Sequence, residues 1–518
     1  MHLEDWMEHK YKIAEQTRTD YRKQSSMSMI GLLVVLSCLV IAAWLWMKPH
    51  PRSPPILPGA LPFIGHSHQI FGDRKHLWDF IRGFQLYALK KGGIIEFWFG
   101  PHSFYVITDP EDSLTLSNTC LSKPYVYDFA KGYINNGLIT AEASIWKIHR
   151  KLLNPAFNQQ VLNTYVKEIN VQAGILVSQL ASKVGKEPFD VRKYLINYTL
   201  STVTRTSLRL NTEDQVAIDT DYAEAIEDLL ALYCDRIQKV WLHLSYIFKW
   251  SALKRKENQL MDKLKNIINP MIHKRKSELK ATKDLKMDND STPGKFKPVL
   301  DHMLQLAEER DAFTDDDIRE HLDTLVAASY DTTSSAMTFI LLVIGKYQNV
   351  QERIFNELQE VFQNKDEDFT KQDLQKLVYL EAVIKEAMRL YPAVPFIGRK
   401  VDTEVNLKSF TLRAGSSCAL GVYALLRHPL WGADAEQFRP ERWLNPATLP
   451  EHPSLYAAFG VGKRNCIGKL FSMMVMKIAL AHIFRKYYVT GDIDNVVCEF
   501  DIVLKPLKGH HICLTSRT

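Results

Sequence analysis

Apolar positions return every three to four residues over most of this chain, the spacing of one helix face. Only a few short runs alternate, or concentrate β-branched and aromatic residues; Ile94–Phe99 and residues 104–108 are the clearest. The pattern predicts a mainly α-helical fold with a minor β region. Its longest helical stretch opens near Thr314 and runs to about Tyr347 without a proline. Thr314 followed by Asp317 fits a capping box, and acids crowd the first turn, where they complement the helix dipole. A helix of that length, on the order of 50 Å, crosses a whole domain. Ser329, Asp331, Thr332, Thr333, Ser334 and Ser335 interrupt its apolar face. Hydroxyls and a carboxylate in mid-helix cost stability. The apolar flanks Leu322, Leu325, Val326 and Phe339, Ile340, Leu341 argue against a solvated face.

Residues 29–47 form an uncharged apolar run, roughly 28 Å long as a helix and close to the thickness of a bilayer core. Trp44 and Trp46 stand at its end, where an interfacial belt belongs. It reads as a retained transmembrane anchor rather than a cleaved signal, because it exceeds the length of a signal's apolar region and follows a polar extension, residues 1–28. The flanking cations do not orient it. Residues 48–65 contain Pro49, Pro51, Pro54, Pro55 and Pro58, a stiff spacer expected to hold a domain off the membrane. Residues 66–518 read as a single domain, with a polar surface loop at 283–297. Residues 240–250 are unusually aromatic, and fit either a membrane-dipping patch or a core helix.

The chain has 518 residues, 46% of them hydrophobic and 24% charged, and reads as globular. A net charge of +6 is small for this length and does not suggest nucleic acid as a partner. The seven cysteines are scattered and lack any C-x-x-C pair, which argues against a zinc site or a disulfide framework. Only Cys466 lies in a chemically loaded context: Phe459-Gly460-Val461-Gly462-Lys463-Arg464-Asn465-Cys466-Ile467-Gly468. Its glycines allow a tight turn and close approach to a flat ligand. Arg464, and the apolar helix starting near Leu470, would both favour a thiolate. A Gly-rich turn around a buried cysteine is the plainer alternative.

This segment resembles the F-x-x-G-x-R-x-C-x-G signature of the cytochrome P-450 family, and the resemblance extends over nearly the whole chain. Glu386-Ala387-Met388-Arg389 looks like the family's E-x-x-R, and Phe438-Arg439-Pro440-Glu441-Arg442-Trp443 resembles its P-E-R-F segment. The resemblance implies haem b held between the Thr332 helix and the Cys466 loop, with Cys466 as the axial thiolate. It also implies a structural charge network of Glu386, Arg389 and Arg442. Trp146-Lys147-Ile148-His149-Arg150 resembles W-x-x-x-R, and Trp146, Arg150, Arg399 and Arg464 are implied to hold the haem propionates, with Phe459, Gly468 and Ala328 also against the cofactor. Ala328-Ser329-Tyr330-Asp331-Thr332-Thr333 resembles A-G-x-D-T-T, in which Thr332 would order water and dioxygen and Asp331 would help to deliver protons. Two departures stand out: Ser329 replaces the usual glycine, where its hydroxyl could bond the Leu325 carbonyl or narrow the oxygen groove, and Val475 stands where relatives often carry glutamate.

The implied activity is that of a monooxygenase inserting one oxygen atom into a lipophilic substrate: a fatty acid, hormone-like lipid, odorant or xenobiotic. Electrons would come from NADPH through a flavin reductase docking at Lys147, Lys151, Lys463 and Lys469, with cytochrome b5 a further candidate partner. The chain looks most like insect members of the microsomal clan that includes fatty-acid ω-hydroxylases, so the expected location is the endoplasmic reticulum membrane, with the domain on the cytosolic face. Substrate contacts are expected from residues 125–137, Ala328, Thr332, and residues 394–397 and 502–504. Two rivals share the fold. A haem isomerase or dehydratase acting on hydroperoxides is disfavoured by the Asp331–Thr332 pair. A non-catalytic haem- or lipid-binding protein is disfavoured by the full set of ligand and relay residues.

Overall fold

The computed structural model describes residues 3–46, 53–209, 221–285, 297–362 and 367–517. The helices that position the site are α1 (Leu3–Trp46), α2 (Arg74–Lys90), α3 (Ala143–Leu153), α4 (Gln159–Ala181), α5 (Arg192–Val203), α6 (Ala223–Gln238), α7 (Asp315–Lys346), α8 (Val378–Leu390) and α9 (Lys469–Lys486). The strands are β1 (Ile94–Phe99), β2 (His102–Ile107), β3 (Ile397–Lys400), β4 (Ser417–Leu420), β5 (Val497–Asp501) and β6 (Val503–Lys508).

Helix α7 is the axle of the fold. The Thr314 hydroxyl accepts from the Asp317 N–H, and the Asp317 carboxylate accepts from the Thr314 N–H, both at 3.1 Å. That reciprocal cap fixes where the helix starts. α7 packs along α5, while α9 packs along α4 and against α8. From Ile318 to Gly345 every residue of α7 is buried except Ala327, Ala328, Ser329 and Thr332. The polar interruption read from the sequence is therefore a notch in a core helix.

A four-stranded sheet in the order β1-β2-β4-β3 flanks the helices. β1 runs antiparallel to β2, β2 parallel to β4, and β4 antiparallel to β3, whose Arg399 pairs with Cys418. β5 and β6 form a hairpin that turns at Ile502, which takes φ 60°. Such a conformation is strained for a β-branched residue. The Ile502 N–H donates to the Cys234 thiol at 3.2 Å, which helps to hold the turn.

The structure bears on three sequence expectations. Helix α1 continues unbroken from the polar extension into the apolar run, whose residues 29–42 are exposed. Within the described residues the proline-rich spacer does not stand free: the Leu57 N–H donates to the Glu96 carbonyl at 2.8 Å, and Leu57 is buried against the sheet. Backbone donors that prolines leave available still seek partners, and the edge of β1 supplies them. Of the expected loop at 283–297, residues 283–285 continue the helix Ala252–Leu285, and 286–296 lie outside the described residues.

Residues 240–250 divide between the two readings. Leu242 and Phe248 are buried, whereas Trp241, Leu244, Tyr246 and Trp250 are exposed. Trp241 lies 6.0 Å from Phe71 between ring centroids, and Leu61, Phe63, Ile64 and Phe71 are exposed as well.

Candidate active site

The segment before α9 folds back on itself. The Cys466 N–H donates to the Phe459 carbonyl at 2.8 Å, and Gly460 and Gly462 take φ 71° and 70°. At Gly462 a Cβ would lie 2.5 Å from the Cβ of Ser117. A close approach that demands glycine there is to the protein itself. Gly468 is the N-cap of α9.

The cations around the thiol are not the expected ones. Arg464 turns away: its Nη2 donates to the Ala141 carbonyl at 2.6 Å, and its guanidinium lies 4.7 Å from the Trp146 ring. Arg150 reaches over from α3 and donates to the Asn465 carbonyl at 2.8 Å. Burial pushes the Cys466 thiol up, while the Gly468 N–H and the charges of Arg150 and Lys469 pull it down. The protein alone therefore favours the thiol, and a bound metal ion would favour the thiolate.

Arg399 and Arg464 are both buried, and the Nε of each, with Nη1 of Arg464, lacks a hydrogen-bond partner. Burial first, then the Arg399 charge, pulls Arg464 down to about 9. Glu142, the carboxylate that counteracts this, is already paired with Lys131 at 2.8 Å. Lys123, partly buried over the Tyr127 ring at 4.4 Å, is pushed far down by burial and by Arg399 and Arg464. Buried charges without counter-ions are costly, so this cluster fits an anionic group with at least two acceptors. Lys123 went unremarked in the sequence because nothing marks one lysine in an ordinary Ser-Lys-Pro run.

On α7 the Thr332 hydroxyl donates to the Ala328 carbonyl at 2.6 Å. Asp331 is buried and forms an ion pair with Lys505 of β6 at 3.1 Å. The Ser329 hydroxyl does not bond the Leu325 carbonyl among the described contacts. Val475 is buried, and its carbonyl accepts from the Tyr198 hydroxyl at 2.9 Å. Two of the apolar residues expected to meet substrate pack against other side chains: Phe129 stacks on Arg236 at 4.0 Å, and Phe396 lies 5.4 Å from Phe500.

Glu386, Arg389 and Arg442 are fully buried and in contact. Nε and Nη2 of Arg389 and Nε of Arg442 each donate to the Glu386 carboxylate at 2.9 Å. The sequence missed that the Trp443 indole and the Arg439 N–H also donate to it, at 2.9 and 3.0 Å. A buried indole N–H can only donate and needs an acceptor; that rule, applied to the Trp443 next to Arg442, was the available signal.

An open basin of about 730 Å³ lies against the cysteine loop, lined by Trp146, Lys147, Arg150, Lys151 and Lys463 among others. Lys469, grouped with these lysines from sequence, instead lies over the Phe459 ring at 5.8 Å.

Comparison with known proteins accounts for the arrangement. The sequence profile of the family described as Cytochrome P450 matches residues 54–513. The chain is 31% identical over 496 residues to Cytochrome P450 4c21 of Blattella germanica, covering 94% of this chain and 99% of the relative. It is 30% identical over 509 residues to Cytochrome P450 4V2 of Homo sapiens, covering 95% of each. Against Cytochrome P450 4c3 of Drosophila melanogaster it is 29% identical over 474 residues, covering 89% of each.

Proposed function

The chain belongs to the cytochrome P450 family, as a haem monooxygenase of the 4 type that acts on lipophilic substrates, and from that premise we propose how its own residues divide the work. The family carries haem on a cysteine thiolate, and in this chain Cys466 is the ligand. When bound, the haem supplies the iron at which dioxygen is activated. The observation that carries the assignment is the cluster of Arg399, Arg464 and Lys123: the two arginines are buried with unpartnered guanidinium donors, Lys123 stands half-buried beside them, and the set matches the two carboxylates of the haem edge. Trp146 and Arg150 complete that cradle from α3, and Phe459, Gly468 and Ala328 line it.

On the other side, Thr332 and Asp331 manage protons. The Thr332 hydroxyl gives its hydrogen to the Ala328 carbonyl, which leaves its lone pairs to accept from water or substrate in the notch. Glu386, Arg389 and Arg442 hold the segments around Trp443 and Ala435 rigid beneath the loop. Electrons come from NADPH through a flavin reductase. The basin lined by Lys147, Arg150, Lys151 and Lys463 offers an acidic partner a cationic, concave surface beside Cys466; cytochrome b5 would compete for it.

Residues 29–47 anchor the chain in the endoplasmic reticulum membrane, with the catalytic domain, residues 66–518, on the cytosolic face. The exposed aromatics Phe63, Phe71, Trp241, Tyr246 and Trp250 rest in the interface beside it. The substrate is a fatty acid, hormone-like lipid, odorant or xenobiotic. The experiment is to add lipid extracts to the holoenzyme, follow shifts of the haem absorption band, and incubate each hit with reductase and NADPH. A product one oxygen atom heavier, formed only with NADPH, is expected. Conversion of hydroperoxides without NADPH would place the chain with isomerases of the same fold.

A further inference from the structure

Asp331 is 1% exposed, and Lys505 is the only cation within ion-pair distance of it among the described residues. The lysine is just as deep, at 2%. It comes from the far end of the chain, on β6, and two contacts deliver it. One turn beyond Asp331, the Ser335 hydroxyl donates to the Leu504 carbonyl at 2.5 Å. The Leu504 N–H donates to the Ala393 carbonyl at 2.8 Å. The strand is thus stitched to α7 immediately beside the ion pair.

Behind Lys505 the charges continue outward. Its ammonium lies 3.7 Å from Asp501 at the end of β5, and Asp501 lies 3.6 Å from Arg74 at the start of α2. Arg74 donates to Asp235 of α6 at 2.7 Å, and the Asp235 side chain is 37% exposed. Burial would lower Lys505, but Asp331 and Asp501 outweigh it and hold the ammonium charged. Oδ1 of Asp331 is the oxygen nearest the ammonium, at 3.1 Å, and both Oδ1 and Oδ2 lack a hydrogen-bond partner. The buried carboxylate thus faces Lys505 across an ion pair and keeps acceptor capacity, Oδ2 included, for a further donor.

We propose that Lys505 is the positioning residue of the distal acid: it fixes the Asp331 carboxylate through Oδ1, so that Oδ2 exchanges protons with the Thr332 notch, and is itself held from behind by Asp501 and Arg74. The step moves no electrons. A proton from pocket water binds Oδ2 and leaves again toward the oxygen being reduced in the monooxygenase reaction, and the ammonium balances the carboxylate before and after. A purely structural ion pair would support the fold without governing where protons go. The inference rests on the reading of Asp331 as the distal acid, and the test separates the two.

Lys505→Met, Lys505→Arg, Asp501→Asn and Asp331→Asn are made in the full-length holoenzyme and normalised to haem content. Product formed per NADPH, peroxide released, substrate affinity and the C–O stretching frequency of the reduced carbonyl complex are measured. Lys505→Met should lower product per NADPH on the order of tenfold and raise peroxide to match, as expected when an acid worth 10²- to 10⁴-fold is misplaced rather than lost. Substrate affinity should stay within about twofold, and the C–O frequency should shift as the charge beside the notch is freed. Lys505→Arg should recover most of the coupling. Asp501→Asn should show the same changes at smaller size. Coupling within about twofold of wild type in Lys505→Met, with Asp331→Asn strongly uncoupled, would overturn the role of Lys505 alone. If Asp331→Asn also couples normally, the reading of the acid falls first. Should Lys505→Met not retain haem, Asp501→Asn decides: unchanged coupling and C–O frequency overturn the proposal.

Discussion

Replacing Glu386 by glutamine should cost the protein most of its stability without touching the chemistry directly. The carboxylate accepts five hydrogen bonds, from Arg389 Nε and Nη2, Arg442 Nε, the Arg439 N–H and the Trp443 indole. Both guanidiniums are 0% exposed, so neither can turn to water when the charge is lost. Breaking a buried pair from one side costs about 3–5 kcal/mol. A glutamine also points an NH2 at donors, stranding at least one of them for about 1–3 kcal/mol more. The sum, about 4–8 kcal/mol, compares with a total stability of about 5–15 kcal/mol. The unfolded fraction should rise roughly a thousandfold or more, and expressed Glu386→Gln should carry little haem. The direction in pH follows. Burial alone would raise Glu386, but Arg389, Arg439 and Arg442 hold it below the usual carboxylate range. Its contribution is therefore present above the unfolded pKa, about 4.3, and is lost as pH falls through the lower folded value. Denaturant titrations of wild type and variant at pH 7, with haem absorbance and tryptophan fluorescence as probes, give the difference. A loss under about 1.5 kcal/mol, with full haem content, would refute the claim that this carboxylate holds the two arginines.

Cys466→Ala should abolish the red-shifted band of the reduced, CO-bound form; a retained band would reassign the ligand. Thr332→Ala should keep haem but divert reducing equivalents to peroxide, measured as product per NADPH, and unchanged coupling would move the role to Ser329 or Thr333. Wild-type haem should be released on acid denaturation after turnover, because Ala328 offers no carboxylate to esterify it and Asp323 is engaged by the Tyr222 hydroxyl at 2.7 Å; mass detection of haem on the polypeptide would contradict this, and Ala328→Glu should create that adduct. Stability should fall as pH drops below about 6.5, since burial holds His482 down to about 3 while it donates to Asn170 and accepts from Arg485: a depressed histidine contributes above its unfolded pKa and loses that contribution toward its folded one. Denaturant midpoints of His482→Gln should depend less on pH between 7 and 4, and parallel curves would exclude this histidine.

What the sequence disclosed and what it withheld differ in physical kind. Start signals and short-range spacing are local: Thr314 with Asp317 makes a cap wherever it occurs, and Glu386 with Arg389 pairs because residues three apart share a helix face. The notch in α7 was legible for the same reason, since polar residues inside an apolar period have to be buried or explained. The partners that decide electrostatics are not local. Arg464 lies two residues from Cys466 in sequence yet is drawn to Trp146 and Ala141, while Arg150, from another helix, occupies the loop. Proximity along a tight turn says little about where a long side chain goes, because the backbone reverses there and a long side chain ends at whichever partner it can reach. Lys505 is the extreme case: in a strand that also carries Lys508, it reads as an edge lysine of the sort that guards against aggregation. Only once β6 is stitched to α7 through Leu504 and Ser335 is its ammonium brought to Asp331. A charge 2% exposed needs a reason. In this fold the long axle supplies the acid, which its own segment marks, and the last hairpin supplies the cation that steadies it, which its own segment does not.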